Sequence, residues 1–259
     1  MSQFKGREYR NFASPISDRG IVQLPYSGEY NNPGYSGSPG KIVHGYDIGN
    51  TLADAQGRDE AIRIRLGLEP DADIKKQLFN DTEFTRAVSR AQEEGIMNGE
   101  IIVNPLDHVV DQLSAEKSVG EDSVLITVGT YQMARSFLHG ADLEKYVTAL
   151  VTSEEAGSGN KKTEDMFLRT YDILRENGKT MVSYCDDSEG DVKAALEASK
   201  LLQDSYGQGF KVFHIKDDAS ESELGPNEDG SITIRSIYDK DLYLEETDLE
   251  DDSEGETNE

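Results

Sequence analysis

The chain has 259 residues, of which 36% are hydrophobic and 8% aromatic, enough for one sizeable core and a small accessory domain but not for two large domains. Its 51 acidic residues against 26 basic ones give a net charge of −25, a field that repels phosphate backbones and anionic headgroups and argues against nucleic acid and membrane partners. No apolar run of about 18 residues occurs, the start MSQFKGREYRNF lacks a signal-like apolar stretch, and the lone Cys185 excludes an internal disulfide or a multi-cysteine zinc site, so a cytoplasmic protein is expected.

Residues 1–40, with Pro15, Pro25, Pro33 and Pro39 among glycines and serines, predict a flexible segment without regular structure. Its tyrosines, Tyr9, Tyr26, Tyr30 and Tyr35, make a protein partner for this arm a further expectation. Strand composition then recurs at 41–47, 124–130, 148–153, 180–187 and 210–215. Helical patterns fill the gaps: 105–116, with Pro105 in its first turn, then 130–140, 163–178 and 191–207, each of the last three closing on glycine. Such alternation predicts an α/β fold, a Rossmann-like parallel sheet with helices on both faces, whose ligand sits beyond the carboxyl ends of the strands. Between 56 and 103 the pattern is amphipathic and rich in Arg and Glu. Residues 219–259 add an alternating stretch, read as an edge strand, and the acidic tail EETDLEDDSEGETNE, nine acids without a base, which predicts disorder.

Sequence-distant polar groups fall at the strand ends. Asp47 ends the first strand in YDIGNT, Thr127 lies in LITVGT, KKTEDMF supplies Lys161 and Lys162, and DDSEGDVKAA supplies Asp187 and Asp191. Taken one at a time these are ordinary: Asp47, Gly49 and Asn50 suit a turn, Thr127 suits a strand, the lysines suit a solvated loop, and the aspartates suit a helix start. In this order and spacing, over 41–218, they resemble the four motifs of the haloacid dehalogenase superfamily of hydrolases. The resemblance implies a core domain over 41–55 and 104–218 and a small helical cap inserted after the first strand over 56–103. It implies Asp47 as nucleophile, Thr127 and the backbone around Gly129 as phosphate-binding groups, and a motif lysine that is both catalytic and phosphate-binding. The spacing to Phe167 selects Lys161, although Lys162 stands where the family's proline usually does. It also implies a Mg²⁺ site formed by Asp47, Gly49, Asp187 and Asp191.

The resemblance thus points to a Mg²⁺-dependent phosphatase that hydrolyses a small phosphorylated metabolite through an aspartyl-phosphate, the chemistry of covalent catalysis assisted by hard oxygen ligands. One departure stands out. The family's typical phosphatases carry a second aspartate two residues after the nucleophile, to protonate the leaving group, and here that position is Gly49. A catalytically impaired binding protein is therefore the alternative reading, and a dehalogenase a more distant one. Asp54 is the nearest acid able to substitute, and Arg63, Arg65, Arg86 and Arg90 are cap residues that could meet an anionic substrate or simply pair with neighbouring acids. AGSGNKKT imitates a phosphate-binding P-loop but has Ala156 and Lys161 where glycines are required, and the four histidines show no metal-binding spacing.

Overall fold

The computed structural model describes residues 22–23 and 41–244. Apart from Val22–Gln23, the segment read as flexible over 1–40 lies outside the described residues, as does the tail over 245–259.

Ten strands occur among the described residues: β1 (Val22–Gln23), β2 (Lys41–Tyr46), β3 (Ala53–Gln56), β4 (Ile102–Pro105), β5 (Asp122–Thr127), β6 (Val147–Thr152), β7 (Lys179–Asp186), β8 (Lys211–Ile215), β9 (Gly225–Pro226) and β10 (Ile232–Ile234). Eight form one sheet in the order β1-β6-β5-β2-β7-β8-β10-β9, and β3 and β4 form a separate ribbon. Within the sheet every pairing is parallel except β9 with β10. The central strands are buried on both faces, which is why β5 reads as an unbroken apolar run after its first two residues. Side chains alternate between two cores: Tyr46, Leu125, Leu150 and Cys185 face one, and Val43, Val124, Ile126 and Tyr184 face the other.

The helices are α1 (Arg58–Leu66), α2 (Ile74–Gln77), α3 (Thr82–Met97), α4 (Val109–Val119), α5 (Tyr131–Gly140), α6 (Ser153–Ala156), α7 (Glu164–Glu176), α8 (Glu189–Tyr206) and α9 (Asp241–Leu244). The first three lie between β3 and β4, in the stretch that the resemblance reads as the cap. Asp81 caps α3 by accepting from the N–H groups of Glu83 and Phe84. No helix among the described residues is long and apolar enough to cross a membrane.

Several expectations need correction. Val22–Gln23 already pairs with β6 inside the segment expected to lack regular structure, so the strand at 41–46 that the insertion follows is second in chain order. The cap does not begin at 56 and end at 103 as a purely helical unit: Gln56 pairs with Ile102 and Ala55 with Val103, so its stem is a β ribbon. Pro105 closes that ribbon opposite Ala53 instead of opening a helix; with no N–H to offer, it suits a strand end, and α4 starts four residues later after His108 at φ +63°. Gly140 does close α5, as its last residue, but not as a left-handed cap. A Cβ there would come 3.0 Å from both Ile96 and Val103, so glycine lets α5 approach the cap, and the left-handed residue beyond α5 is Asp142 at φ +55°.

The stretch read as an edge strand yields only three strand residues, β10 beside β8, because Ser236 and Asp239 form a capping box that turns the chain into a short 3₁₀ helix, Ile237–Lys240. That turn drives Lys240 into the protein, fully buried, where its ammonium meets Glu116 at 2.8 Å and Asp241 at 2.6 Å. Glu116 also accepts from Tyr46 Oη, Gln112 and Ser123, so the C-terminal segment is anchored to β2, α4 and β5 through one polar knot.

Candidate functional site

Parallel strands deliver their carboxyl ends to one edge, and there the polar residues converge. Asp47 directly follows β2, its N–H donating to the Cys185 carbonyl at 3.0 Å, so it stands beside the end of β7, where Asp186 is the last residue and Asp187 the next. Thr127 ends the neighbouring β5, and Asp191 lies in the first turn of α8. Together with Lys162 and the inner wall of the cap they line a cleft of about 680 Å³.

Lys162 organises the cluster. Its Nζ lies 2.7 Å from Asp47 Oδ1, 2.6 Å from Asp186 Oδ2 and 3.2 Å from Asp191 Oδ2, and its side chain is 2% exposed. Its backbone N–H also donates to Asp191 Oδ1, at 3.3 Å, which ties the loop before α7 to α8. Lys161 is exposed and absent from the cleft lining, so the residue selected by spacing is displaced by one. In an extended loop successive side chains point to opposite sides, and only the tertiary register of the loop decides which of two adjacent lysines turns inward.

Three carboxylates, Asp47, Asp186 and Asp191, surround one ammonium, and the proton affinities follow. Burial raises the Asp47 pKa above the ordinary carboxylate value; Lys162 opposes this, Asp186 adds to it, and hydrogen bonds from Lys162 and Thr127 oppose it. Asp186, fully buried, is raised by burial against the pull of Lys162 and of donors on Tyr184 and Ser188. Asp187 is raised by burial, with the Asn50 amide, 3.1 Å away, working against it. Burial alone would lower Lys162, but Asp47, Asp186 and Asp191 more than offset it and hold the ammonium far above the ordinary lysine range. A lysine shared among three carboxylates stays charged without relieving any one of them fully.

Asp47, Asp186 and Asp187 each offer an oxygen within 4.8 Å of the others, a candidate metal centre. The donor set fits a hard divalent cation, and the surplus negative charge gives such an ion a place in the electrostatic balance. The ligand set expected from sequence is redistributed. Asp191 holds Lys162 on both of its oxygens, whereas Asp186 joins the carboxylate group, although its Oδ2 already accepts from Lys162 and Tyr184. Gly49 lines the cleft. The N–H of Gly129, expected to bind phosphate, is committed to Ser153 Oγ at 3.1 Å. Thr127 lines the cleft with Asp47.

The four arginines singled out in the cap stay out of the cleft. Arg63 donates to the Ala72 carbonyl, Arg65 pairs with Glu94 and Glu100, and Arg86 and Arg90 are exposed. Arg58 is the cap arginine that lines the cleft. Its signal in the sequence was faint: a lone base directly after Gly57, whose φ of +74° turns the ribbon into α1.

No family model matches the sequence, and no curated protein matches it. Solved structures do. A "predicted phosphatase from Clostridium acetobutylicum" is 20% identical at a TM-score of 0.51, with 82% of this chain and 100% of that one covered. The "putative HAD-hydrolase YfnB from Bacillus subtilis", described as bound to magnesium, is 14% identical at a TM-score of 0.51, covering 80% and 100%. The L-2-haloacid dehalogenase from Xanthobacter autotrophicus is 11% identical at a TM-score of 0.50, covering 79% and 98%. The chain has the fold of the haloacid dehalogenase-like hydrolases, and its structural neighbours include both phosphatases and dehalogenases.

Proposed function

We propose that the chain is a haloacid dehalogenase superfamily phosphatase, Mg²⁺-dependent and cytoplasmic, that hydrolyses a small phosphomonoester through an aspartyl-phosphate on Asp47. The observation that carries this reading is the convergence of Asp47, Lys162, Asp186 and Asp187 at the carboxyl edge of β2 and β7. Lys162 grips Asp47 Oδ1 and leaves Oδ2 to attack; the Oδ2–phosphorus bond forms as the ester oxygen departs with its electron pair and takes a proton from solvent water. Water then attacks phosphorus, the acyl-phosphate bond breaks, and inorganic phosphate leaves with Asp47 regenerated. Thr127 and the Lys162 ammonium stabilise charge on the phosphoryl oxygens. Asp47, Asp186 and Asp187 would hold a Mg²⁺ ion, which would supply Lewis-acid polarisation of the phosphoryl group and reduce repulsion between two anions.

Gly49 supports a second reading, a phosphoester-binding protein with impaired turnover, since a glycine cannot transfer a proton. Both are separated by measuring phosphate release from a broad phosphomonoester panel, with Mg²⁺ and with chelator, for wild type and Asp47→Asn. Release that requires metal and Asp47 is the expected result. Binding without release by the wild type supports the second reading, and halide release from a 2-haloacid would replace both.

A further inference from the structure

Arg58 opens α1 where the ribbon hands the chain to the cap, and its side chain, 17% exposed, lines the same cleft as Asp47, Asp186 and Asp187. Its Nε donates to Gln92 Oε1 at 2.8 Å and its Nη1 to Asp59 Oδ1 at 2.9 Å. Gln92, itself 1% exposed, donates through Nε2 to the Met133 carbonyl at 2.8 Å and to Ser136 Oγ at 3.0 Å, both on α5 of the core. The guanidinium is thereby fixed to the core domain as well as to the cap. A guanidinium has five N–H donors; Nη2 donates to no acceptor among the described residues. Arg65 on the same helix shows what a purely structural arginine looks like here: its Nε, Nη1 and Nη2 are all taken by Glu94 and Glu100, away from the cleft.

The charge around Arg58 narrows what completes it. Asp54, Asp59 and Glu60 line the cleft as well, with Lys75 as the other base from the cap. The positive charge of Arg58 is already matched by Asp59, so an added carboxylate or second phosphate would enter a wall with surplus acid, whereas an uncharged oxygen would not. We propose that Arg58 is a specificity-determining residue that donates to an uncharged oxygen, a hydroxyl or carbonyl, on the carbon body of the substrate, and that Gln92 is its positioning residue. This rests on the phosphomonoester reading above.

A six-carbon series tests it: n-hexyl phosphate, sorbitol 6-phosphate and 6-phosphogluconate, titrated calorimetrically with Mg²⁺ into the full chain carrying Asp47→Asn so that no ligand is consumed. Losing a hydrogen bond from a charged donor typically weakens binding about 10- to 100-fold. Sorbitol 6-phosphate should bind tighter than hexyl phosphate by that factor, and 6-phosphogluconate no tighter than sorbitol 6-phosphate. Adding Arg58→Met should erase the gap while leaving hexyl phosphate within about twofold, and Gln92→Leu should narrow the gap with hexyl phosphate again unmoved, a pattern that general loosening would not give. An unchanged gap in Arg58→Met, an equal loss for all three ligands, or an Arg58-dependent preference for 6-phosphogluconate overturns the inference. If the wild type releases phosphate from all three without Arg58-dependent selectivity, the inference fails alone; if none is bound and none is hydrolysed, the phosphatase reading fails and takes the inference with it.

Discussion

Replacing Lys162 by methionine separates the residue that organises the site from the neighbour that sequence spacing favoured. The substitution removes an ammonium lying within 3.2 Å of Asp47, Asp186 and Asp191 and leaves Asp186, fully buried, with only Tyr184 and the Ser188 N–H as donors among the described residues. An uncompensated buried carboxylate costs about 3–5 kcal/mol of stability. Protonation offers partial relief, because burial already raises the Asp186 pKa above its ordinary 3.8, and the loss of Lys162 raises it further. The folded variant then binds more protons than the unfolded chain in the window above pH 3.8, so its stability falls as pH rises through that window. Urea unfolding at pH 7 and pH 5 reads both effects. Lys162→Met should be destabilised by about 3 kcal/mol or more at pH 7, with the deficit shrinking at pH 5, while Lys161→Met, at an exposed position, should stay within about 0.5 kcal/mol of wild type. At the alkaline end the wild type should lose stability above pH 10.5, where the unfolded lysine releases a proton that folded Lys162 retains, at about 1.4 kcal/mol per pH unit, and the variant should lack that slope. Equal effects of the two lysine substitutions, or a deficit that grows on acidification, would refute the assignment.

The polar knot at the C-terminal segment yields the second prediction: Lys240→Met should cost about 3–5 kcal/mol in urea unfolding by stranding Glu116, and Lys240→Met with Glu116→Leu should recover much of it. Gly49 yields the third. Its φ is not in the left-handed region, and a Cβ there would meet only Asp47 Oδ2, at an ordinary 3.9 Å; Gly49→Asp should therefore fold normally and raise phosphate release from esters with poor leaving groups by about 10²–10⁴, the usual contribution of general acid–base help. No gain in rate would show that a missing acid at this position does not limit turnover. The fourth concerns pH: because burial raises the Asp47 pKa and the nucleophile must be ionised, kcat/KM should fall on acidification with a limb above pH 3.8, and chelation of the metal should abolish release at every pH.

The chemistry was most legible where backbone topology carries it. Asp47, Thr127 and Asp187 could be placed at one edge because each ends, or directly follows, a strand whose apolar run is visible, and parallel strands must finish on the same side. What the sequence hid are choices made by packing. The one-residue step from Lys161 to Lys162 depends on how the loop before α7 registers against α8, and Asp191 contributes to that register by binding the lysine twice. Asp186 and Asp187 are adjacent, and a strand end turns one inward under Tyr184 and leaves the other half-buried against Asn50; a pair of identical residues carries no local signal for which does which. The β ribbon at the base of the cap was missed because Ala53–Gln56 has little β propensity, and its pairing is imposed by the partner strand.

The acidity of the protein sharpens the argument for the site. A chain of net charge −25 would be expected to repel a phosphoryl group, and its candidate nucleophile sits among three further aspartates. Lys162 alone leaves that cluster with surplus negative charge even when fully protonated. If these carboxylates served only to anchor the loop before α7, one of them would suffice, and the others would carry a cost of burial with no return. Three oxygens within 4.8 Å, in a cleft also lined by a guanidinium with a spare donor, are instead the arrangement expected when a cation and a phosphorylated ligand complete the electrostatics between them.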